Sequence, residues 1–200
     1  MSKGSSPEGG LPGSPNRGTL LVLSGPSGVG KTTIAKELQK AGVHKVMTTT
    51  TRAPRGTEQN GREYRFLTRA EFEAEVAAGG FLEHAEIVGN LYGTPKAEIE
   101  KQLSSRRLVM VDIDTQGAAS VRKLGLPAVS VFIAPPDMAE LRKRLEGRKT
   151  ESPELMARRL AQAEREMMQK DSYDRVVVND TVDQAVGEIL DVLRSRNLIS

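Results

Sequence analysis

Thr19-Leu20-Leu21-Val22-Leu23-Ser24-Gly25-Pro26-Ser27-Gly28-Val29-Gly30-Lys31-Thr32 is the stretch whose reading decides the fold. Its first half is apolar at nearly every position, which suits a strand covered on both faces. From Gly25 to Thr32 it satisfies the phosphate-loop spacing G-x-x-x-x-G-K-[ST], with a helix-like segment from Thr32 to Lys40 behind it. Glycines let backbone N–H groups turn inward around phosphate oxygens, and the helix N-terminus adds its positive end. Lys31 is placed to reach the β- and γ-phosphates, and the Thr32 hydroxyl to ligate magnesium. A ligand-free glycine turn is the bland alternative, and the strand before and helix after argue against it. The stretch implies binding of a nucleoside triphosphate through Gly25, Pro26, Ser27, Gly28, Val29, Gly30, Lys31 and Thr32.

Working outward, the same compact apolar run recurs at Leu108 to Val111, Ala128 to Ile133 and Arg175 to Val178. Helices with recognisable ends lie between these runs. Ser152 and Pro153 form a cap with proline at the first helical position, opening a charged helix to about Lys170. Thr68 with Glu71, and Thr181 with Gln184, read as capping boxes. Ala185, Val186, Ile189, Leu190 and Leu193 share one face of the last helix. This strand–helix alternation predicts an α/β fold: a parallel sheet of the P-loop type sandwiched by helices. Between about Thr48 and Thr94 the alternation breaks into loop, short strand (Glu63 to Leu67), helix, strand (Phe81 to Val88), a Gly89-Asn90 turn and a shorter strand. That pattern reads as a small α+β insertion within a domain spanning 19–200. Residues 1–18, rich in Gly, Pro and Ser, are expected to form a disordered tail. They carry neither a secretory signal nor an Arg-rich transit helix, so a cytoplasmic location is expected.

Two hundred residues with 38% hydrophobic and 28% charged side chains fit one globular domain. No apolar run approaches the ~20 residues a membrane span needs. The absence of cysteine excludes disulfide frameworks, thiolate metal sites and cysteine nucleophiles. A net charge of +3 suits a phosphate-binding enzyme as well as a nucleic-acid binder, but aromatics at 4% leave little for a base-stacking platform.

Arg52 and Arg55 stand three residues apart in the proline-stiffened loop Thr48 to Gly56, a pattern suited to bidentate capture of a second phosphate or to a merely basic, solvated loop. Asp112 and Asp114 follow an apolar strand, where a magnesium-facing or base-contacting carboxylate belongs. His44 and His84, the two histidines, read as structural.

From about residue 19 to the C-terminus the chain resembles the guanylate kinases. The family's marks recur in order: the phosphate loop, TTRxPR at Thr50 to Arg55, NGxxY at Asn60 to Tyr64, and FLExAxxxGNxYGT at Phe81 to Thr94. Then follow D-x-D-x-QG at Asp112 to Gly117, RLxxR at Arg144 to Arg148, and VVND at Val177 to Asp180. The resemblance implies transfer of the γ-phosphoryl group of ATP to GMP, and to dGMP, giving ADP and GDP in purine nucleotide metabolism and GMP recycling. It implies that Arg52, Arg55, Tyr64 and Tyr92 hold the GMP phosphate. Glu83 would accept hydrogen bonds from guanine, with Thr48 and Thr94 supplying hydroxyls and Asp114 close by. Asp112 would join Thr32 in the magnesium shell. Arg148 and Arg159, on a helical lid over about 137–170, would point at the transferring group with Lys31 and Arg52, and Asn179 would contact adenine. Arg144 is a further lid candidate, whereas Arg158 and Arg165 read as surface.

Partners are therefore expected to be ATP and GMP, with magnesium as cofactor, no nucleic acid and no membrane; oligomeric state stays open. Thr48 stands where serine is commoner, His84 where an aromatic usually follows the glutamate, and Lys149 where the lid usually has glycine. Two rivals are a non-catalytic interaction module of the same family and a kinase for another acceptor such as a ribose phosphate. The intact phosphate loop argues against the first, and Glu83, Tyr92 and Thr94 against the second.

Overall fold

The computed structural model describes residues 18–87, 89–146 and 153–200. The tail expectation over 1–17, the cap at Ser152 and the lid residues Arg148 and Lys149 lie outside the described residues. Gly18, assigned to the tail from sequence, is buried, and its N–H donates to the Leu103 carbonyl at 2.9 Å. Gly18 thus belongs to the folded domain and not to the expected tail.

Five strands form the main sheet: β1 (Thr19–Ser24), β2 (His44–Lys45), β7 (Leu108–Asp112), β8 (Ala128–Ala134) and β9 (Arg175–Val178). Their order is β2-β7-β1-β8-β9 and every pairing is parallel. The unbroken apolar runs have a direct cause in packing. Leu21 and Leu23 of β1 enter one core with Met110, Val131 and Ile133, while Leu20 and Val22 enter another with Val109, Val111 and Phe132. Both faces of the sheet are covered, so neither parity of the strand is left for polar residues.

The first core is closed by α1 (Lys31–Lys40), α5 (Met138–Glu146), α6 (Pro153–Met167) and α7 (Val182–Ser195). α3 (Lys96–Ser105) and α4 (Thr115–Lys123) close the second. The long charged helix stops at Met167, and a separate 3-10 turn covers Lys170–Ser172. Thr181 caps α7 through the Gln184 N–H, and Ala185, Ile189 and Leu193 of its apolar face are buried.

The segment that broke the alternation forms a second, four-stranded sheet of β3 (Thr49–Thr50), β4 (Arg65–Phe66), β5 (Phe81–Ile87) and β6 (Asn90–Pro95), ordered β4-β3-β6-β5. α2 (Arg69–Ala77) joins β4 to β5, opened by a full capping box at Thr68 and Glu71. Phe72 of α2 stacks on Phe81 of β5 at 4.4 Å, giving this small sheet its own apolar anchor. The expected strand at 63–67 contracts to two residues, and β2 and β3 are equally short. Two-residue strands carry no periodicity to read, and their pairing partners alone define them.

Candidate active site

A cleft of about 1110 Å³ opens at the C-terminal ends of the main strands, bounded on its far side by the second sheet. Ligands of open α/β sheets bind at such strand ends. Gly25, Ser27, Gly28, Gly30, Lys31 and Thr32 line one wall; Thr48, Arg52, Arg55, Tyr64, Glu83 and Tyr92 line another. Asp112, Asp114 and Arg159 lie in the same cleft.

The loop after β1 is held by close backbone approach. Gly30 has φ 101°, and a Cβ there would lie 2.5 Å from Asn179 Nδ2. Gly25, at φ 137°, would drive a Cβ onto the Ile133 carbonyl at 2.2 Å. Lys31 Nζ donates to the carbonyls of Gly25 (2.5 Å) and Pro26 (3.0 Å), so its ammonium is folded over the loop it belongs to. Arg159 reaches in from α6 and donates to Ser27 Oγ at 3.2 Å.

Parallel pairing sets Asp112 beside Leu23, at the mouth of the loop. The Thr32 hydroxyl lies 3.5 Å from Asp112 Oδ2. Asp114 has a different neighbourhood. It caps α4, accepting from the Gly117 N–H at 2.8 Å, and its second oxygen, buried, has no hydrogen-bond partner among the described residues. Burial raises its pKa, opposed by that backbone N–H. A Cβ on Gly117 would meet Glu83 Oε2 at 2.4 Å and Asp114 Oδ1 at 3.2 Å. The two aspartates therefore serve different corners: Asp112 faces Thr32, and Asp114 faces Glu83.

Glu83 is buried on β5, directly across from Thr94 of β6, whose hydroxyl donates to Glu83 Oε1 at 2.5 Å. Burial pushes its carboxyl up to about 7, with the Thr94 bond pulling down and Asp114 pushing up. Thr48 lines the cleft as expected, but Thr94 is not among the lining residues: its hydroxyl is spent on Glu83. His84 is exposed, one residue along β5 from Glu83 and so on the opposite face. Its departure from the family pattern therefore leaves the Glu83 side of the sheet unchanged.

Arg52 is buried with its guanidinium already engaged. It donates to the Ala53 carbonyl at 2.6 Å, pairs with Glu58 at 2.9 Å, and lies 5.5 Å from the Tyr64 ring centroid. Glu58 also accepts from the Arg55 N–H at 2.8 Å, closing the loop on itself. Tyr64 and Tyr92 meet edge to face at 6.4 Å. Burial first, then the charges of Asp112 and Tyr92, keep the Tyr64 phenol far above its ordinary pKa.

Two residues, Asn179 and Arg144, have partners other than those expected of them. Asn179 is buried beneath the loop, donates to the Val29 carbonyl at 2.7 Å, and is not among the lining residues. It supports the loop backbone rather than facing the cleft. Arg144 bonds Glu140 (2.9 Å) and the Asn179 carbonyl (3.0 Å), joining α5 to that same support. Arg148 lies outside the described residues. Arg158 and Arg165 are exposed, in line with a surface role.

Sequence reading passed over Glu58, Lys45 and Glu166, all of which line the cleft. Glu58, three residues after Arg55, was open to detection as the local counter-ion of a basic loop. Glu166 of α6 is buried, accepts from Gln162 at 3.0 Å, and has its pKa raised by burial while Lys31 opposes. Nothing in its helix pattern distinguishes it from its solvated neighbours.

Residues 17–196 match the sequence model of the family described as guanylate kinase. The chain is similar to the guanylate kinase of Dechloromonas aromatica, 47% identical over 183 residues that cover 90% of this chain and 91% of that protein. It is 46% identical to the guanylate kinase of Rubrobacter xylanophilus over 89% of this chain and 94% of that one. Among solved structures, the guanylate kinase from Anaplasma phagocytophilum superposes with a TM-score of 0.76 at 33% identity, over 92% of this chain and 89% of that chain.

Proposed function

We propose, from the premise that this chain belongs to the guanylate kinase family and phosphorylates GMP to GDP at the expense of ATP, an assignment of that reaction to its own residues. The observation that carries it is a single cleft lined both by Lys31 and Thr32 and by the buried carboxylate of Glu83.

Backbone N–H groups from Gly25 to Gly30, together with Lys31, hold the triphosphate of ATP. For this Lys31 leaves the Gly25 and Pro26 carbonyls and turns to the phosphates. Asn179 and Arg144 keep the loop in shape from below. The Thr32 hydroxyl and the Asp112 carboxylate are hard oxygen donors 3.5 Å apart, a set that fits magnesium; the ion, when bound, supplies charge neutralisation on the donor phosphates.

Arg52, Arg55, Tyr64 and Tyr92 receive the GMP phosphate. Glu58 and the Tyr64 face fix the Arg52 guanidinium in one plane, so little freedom is lost when a phosphate arrives. Glu83 accepts the N1–H and the exocyclic N–H of guanine. Adenine presents no such pair of donors and would leave a buried carboxylate unsatisfied. Thr48 adds a hydroxyl on the same side, and Thr94 acts through Glu83. No described residue is assigned to the ribose 2′-hydroxyl, so dGMP is proposed as a second acceptor.

The acceptor needs no general base, because a phosphate monoester is largely dianionic near pH 7, its second pKa being about 6. The barrier lies in bringing two anions together. Lys31, Arg52, Arg55 and Arg159 supply the opposing charge. By resemblance Arg148 joins them. No helix among the described residues is long and apolar enough to cross a membrane, and a cytoplasmic setting is proposed with the reaction.

ADP release in a coupled assay with Mg-ATP and GMP, AMP or no acceptor tests the assignment, with Glu83→Gln alongside. Turnover with GMP alone, reduced at least tenfold in the variant, is expected. Equal turnover with AMP, or a fully active variant, would remove Glu83 from guanine recognition.

A further inference from the structure

Lys45 has no role in the assignment above, yet the fold delivers its ammonium to the transfer site. It lies on β2, where parallel pairing sets it beside Met110 of β7. Paired residues share a sheet face, and so does the residue two further along the strand, Asp112. Met110 packs in the core closed by α1, so Lys45 and Asp112 both point to the face on which α1 begins with Lys31 and Thr32. Lys45 Nζ lies 3.7 Å from Asp112 Oδ2, the same oxygen that the Thr32 hydroxyl approaches at 3.5 Å. Both side chains are largely withdrawn from water, 13% exposed for Lys45 and 6% for Asp112.

That pair is a poor stabilising device. At 3.7 Å it is an ion pair without a hydrogen bond, so the three N–H donors of Lys45 are not spent on Asp112. Desolvating two charges in such geometry recovers little free energy, and an apolar residue would serve a sheet strand as well. The position in the chain suggests what the ammonium is for. Three residues after Lys45 comes Thr48 and the acceptor loop carrying Arg52 and Arg55, while Asp112 and Thr32 form the donor corner. Lys45 lies between the two, in the wall of the one cleft they share.

We propose that Lys45 is a catalytic cation of this phosphoryl transfer, donating to the oxygens of the group in flight between ATP and GMP. The inference rests on the functional reading above. A GMP phosphate oxygen forms the new bond to the γ-phosphorus, the bond from that phosphorus to the β,γ-bridging oxygen breaks, and its electron pair leaves with ADP. Lys45 gives up no proton; it offsets negative charge on the equatorial oxygens, where charge is spread in the transition state. In the empty cleft Asp112 holds the ammonium in place. With substrates and magnesium bound, Asp112 would help to hold the ion and Lys45 would donate to the phosphoryl oxygens.

The test compares wild type with Lys45→Met and Lys45→Arg. GMP-dependent turnover of the wild type establishes the underlying reading, so failure there and failure of the Lys45 proposal are distinguishable. For Lys45→Met the expected result is a kcat lowered about 10- to 100-fold, the range for loss of one transition-state donor or less, with both KM values within threefold. Lys45→Arg should recover part of the loss. A bisubstrate inhibitor joining adenosine and guanosine through a polyphosphate chain should bind Lys45→Met more weakly by a similar factor, while calorimetry finds ATP alone and GMP alone bound within threefold of wild type. If Lys45→Met is poorly folded by thermal melting, Lys45→Gln takes its place in the same comparison. A kcat within threefold of wild type would overturn the proposal. So would a loss that appears in full in the binding of ATP alone, because Lys45 would then serve the donor corner through Asp112.

Discussion

Thr94 stands directly across from Glu83 in the β5–β6 pair, and its hydroxyl donates to Glu83 Oε1 at 2.5 Å. The buried carboxylate proposed to read the base is thus held by a cross-strand partner that does not itself line the cleft. A buried carboxylate with one short hydrogen bond sits between two tendencies: burial favours its protonated form, and the hydroxyl favours the charged form. The balance lies at about 7, close to neutrality.

The proposed recognition of guanine through two N–H donors requires Glu83 as the carboxylate. As pH falls below about 7, Glu83 takes up a proton and the acceptor pair is lost. KM for GMP is therefore expected to climb towards tenfold per pH unit on the acid side, while KM for ATP changes little. Steady-state kinetics between pH 5.5 and 8.5 checks this. A flat GMP profile would show that the protonated acid binds guanine equally well.

Stability of the unliganded protein follows the same group with the opposite preference. Its folded pKa is raised from 4.5 to about 7, so the folded state holds the proton more tightly than the unfolded chain does. The associated stability is fully present below pH 4.5 and is lost as pH rises through 7. Glu83→Gln should therefore melt higher than wild type at pH 8, by an amount equivalent to about 1–3 kcal/mol, and lose that advantage near pH 4.5. Calorimetry at the two pH values decides it.

Thr94→Val keeps the shape of the strand and removes the donor. The Glu83 pKa should move further up, shifting the rise in KM for GMP to higher pH. At pH 7.5 KM for GMP should increase about fivefold, in keeping with roughly 1 kcal/mol for one hydrogen bond. An unchanged pH profile would mean that the Thr94 bond does not set the charge state of Glu83.

Arg52 is oriented by Glu58 before any phosphate arrives. Glu58→Gln weakens that hold and also loosens the loop at the Arg55 N–H. The expected effect is a KM for GMP raised about three- to tenfold with kcat within threefold, since orientation of a binding group is worth about 1 kcal/mol. A kcat loss larger than the KM change would assign Glu58 to the transfer step instead.

Asn179 contacts the loop backbone at Val29, and a Cβ at Gly30 would collide with its amide. Asn179→Ala should lower kcat/KM by the same factor for ATP and for a donor with a different base, because the defect lies in the phosphate loop. A loss confined to ATP would restore the adenine contact expected from the family. Gly30→Ala meets both the collision and a positive φ, and should cost about 1–3 kcal/mol of stability together with triphosphate binding.

The chain's own sequence determined the phosphate loop, the four longer strands of the main sheet and the helix caps at Thr68 and Thr181. Each depends on residues within a few positions of one another. A glycine spacing, an apolar run covered on both faces, or a hydroxyl three residues before a Glu or Gln carries its physical reason locally. The roles expected of Arg52, Arg55 and Glu83 rested instead on the resemblance of the runs that contain them to those of the guanylate kinases, since locally a basic loop and a strand acid have ordinary readings too.

Tertiary structure alone decided which way the polar groups turn. Thr94 faces Glu83 because the antiparallel register opposes them, and Asp112 parts from Asp114 because one ends a strand while the other caps a helix. Lys45 meets Asp112 across 67 positions of sequence through the pairing of a two-residue strand, and Asn179 reaches Val29 across 150. A side chain's partner is fixed by sheet register and layer packing, and no window of neighbouring residues contains either.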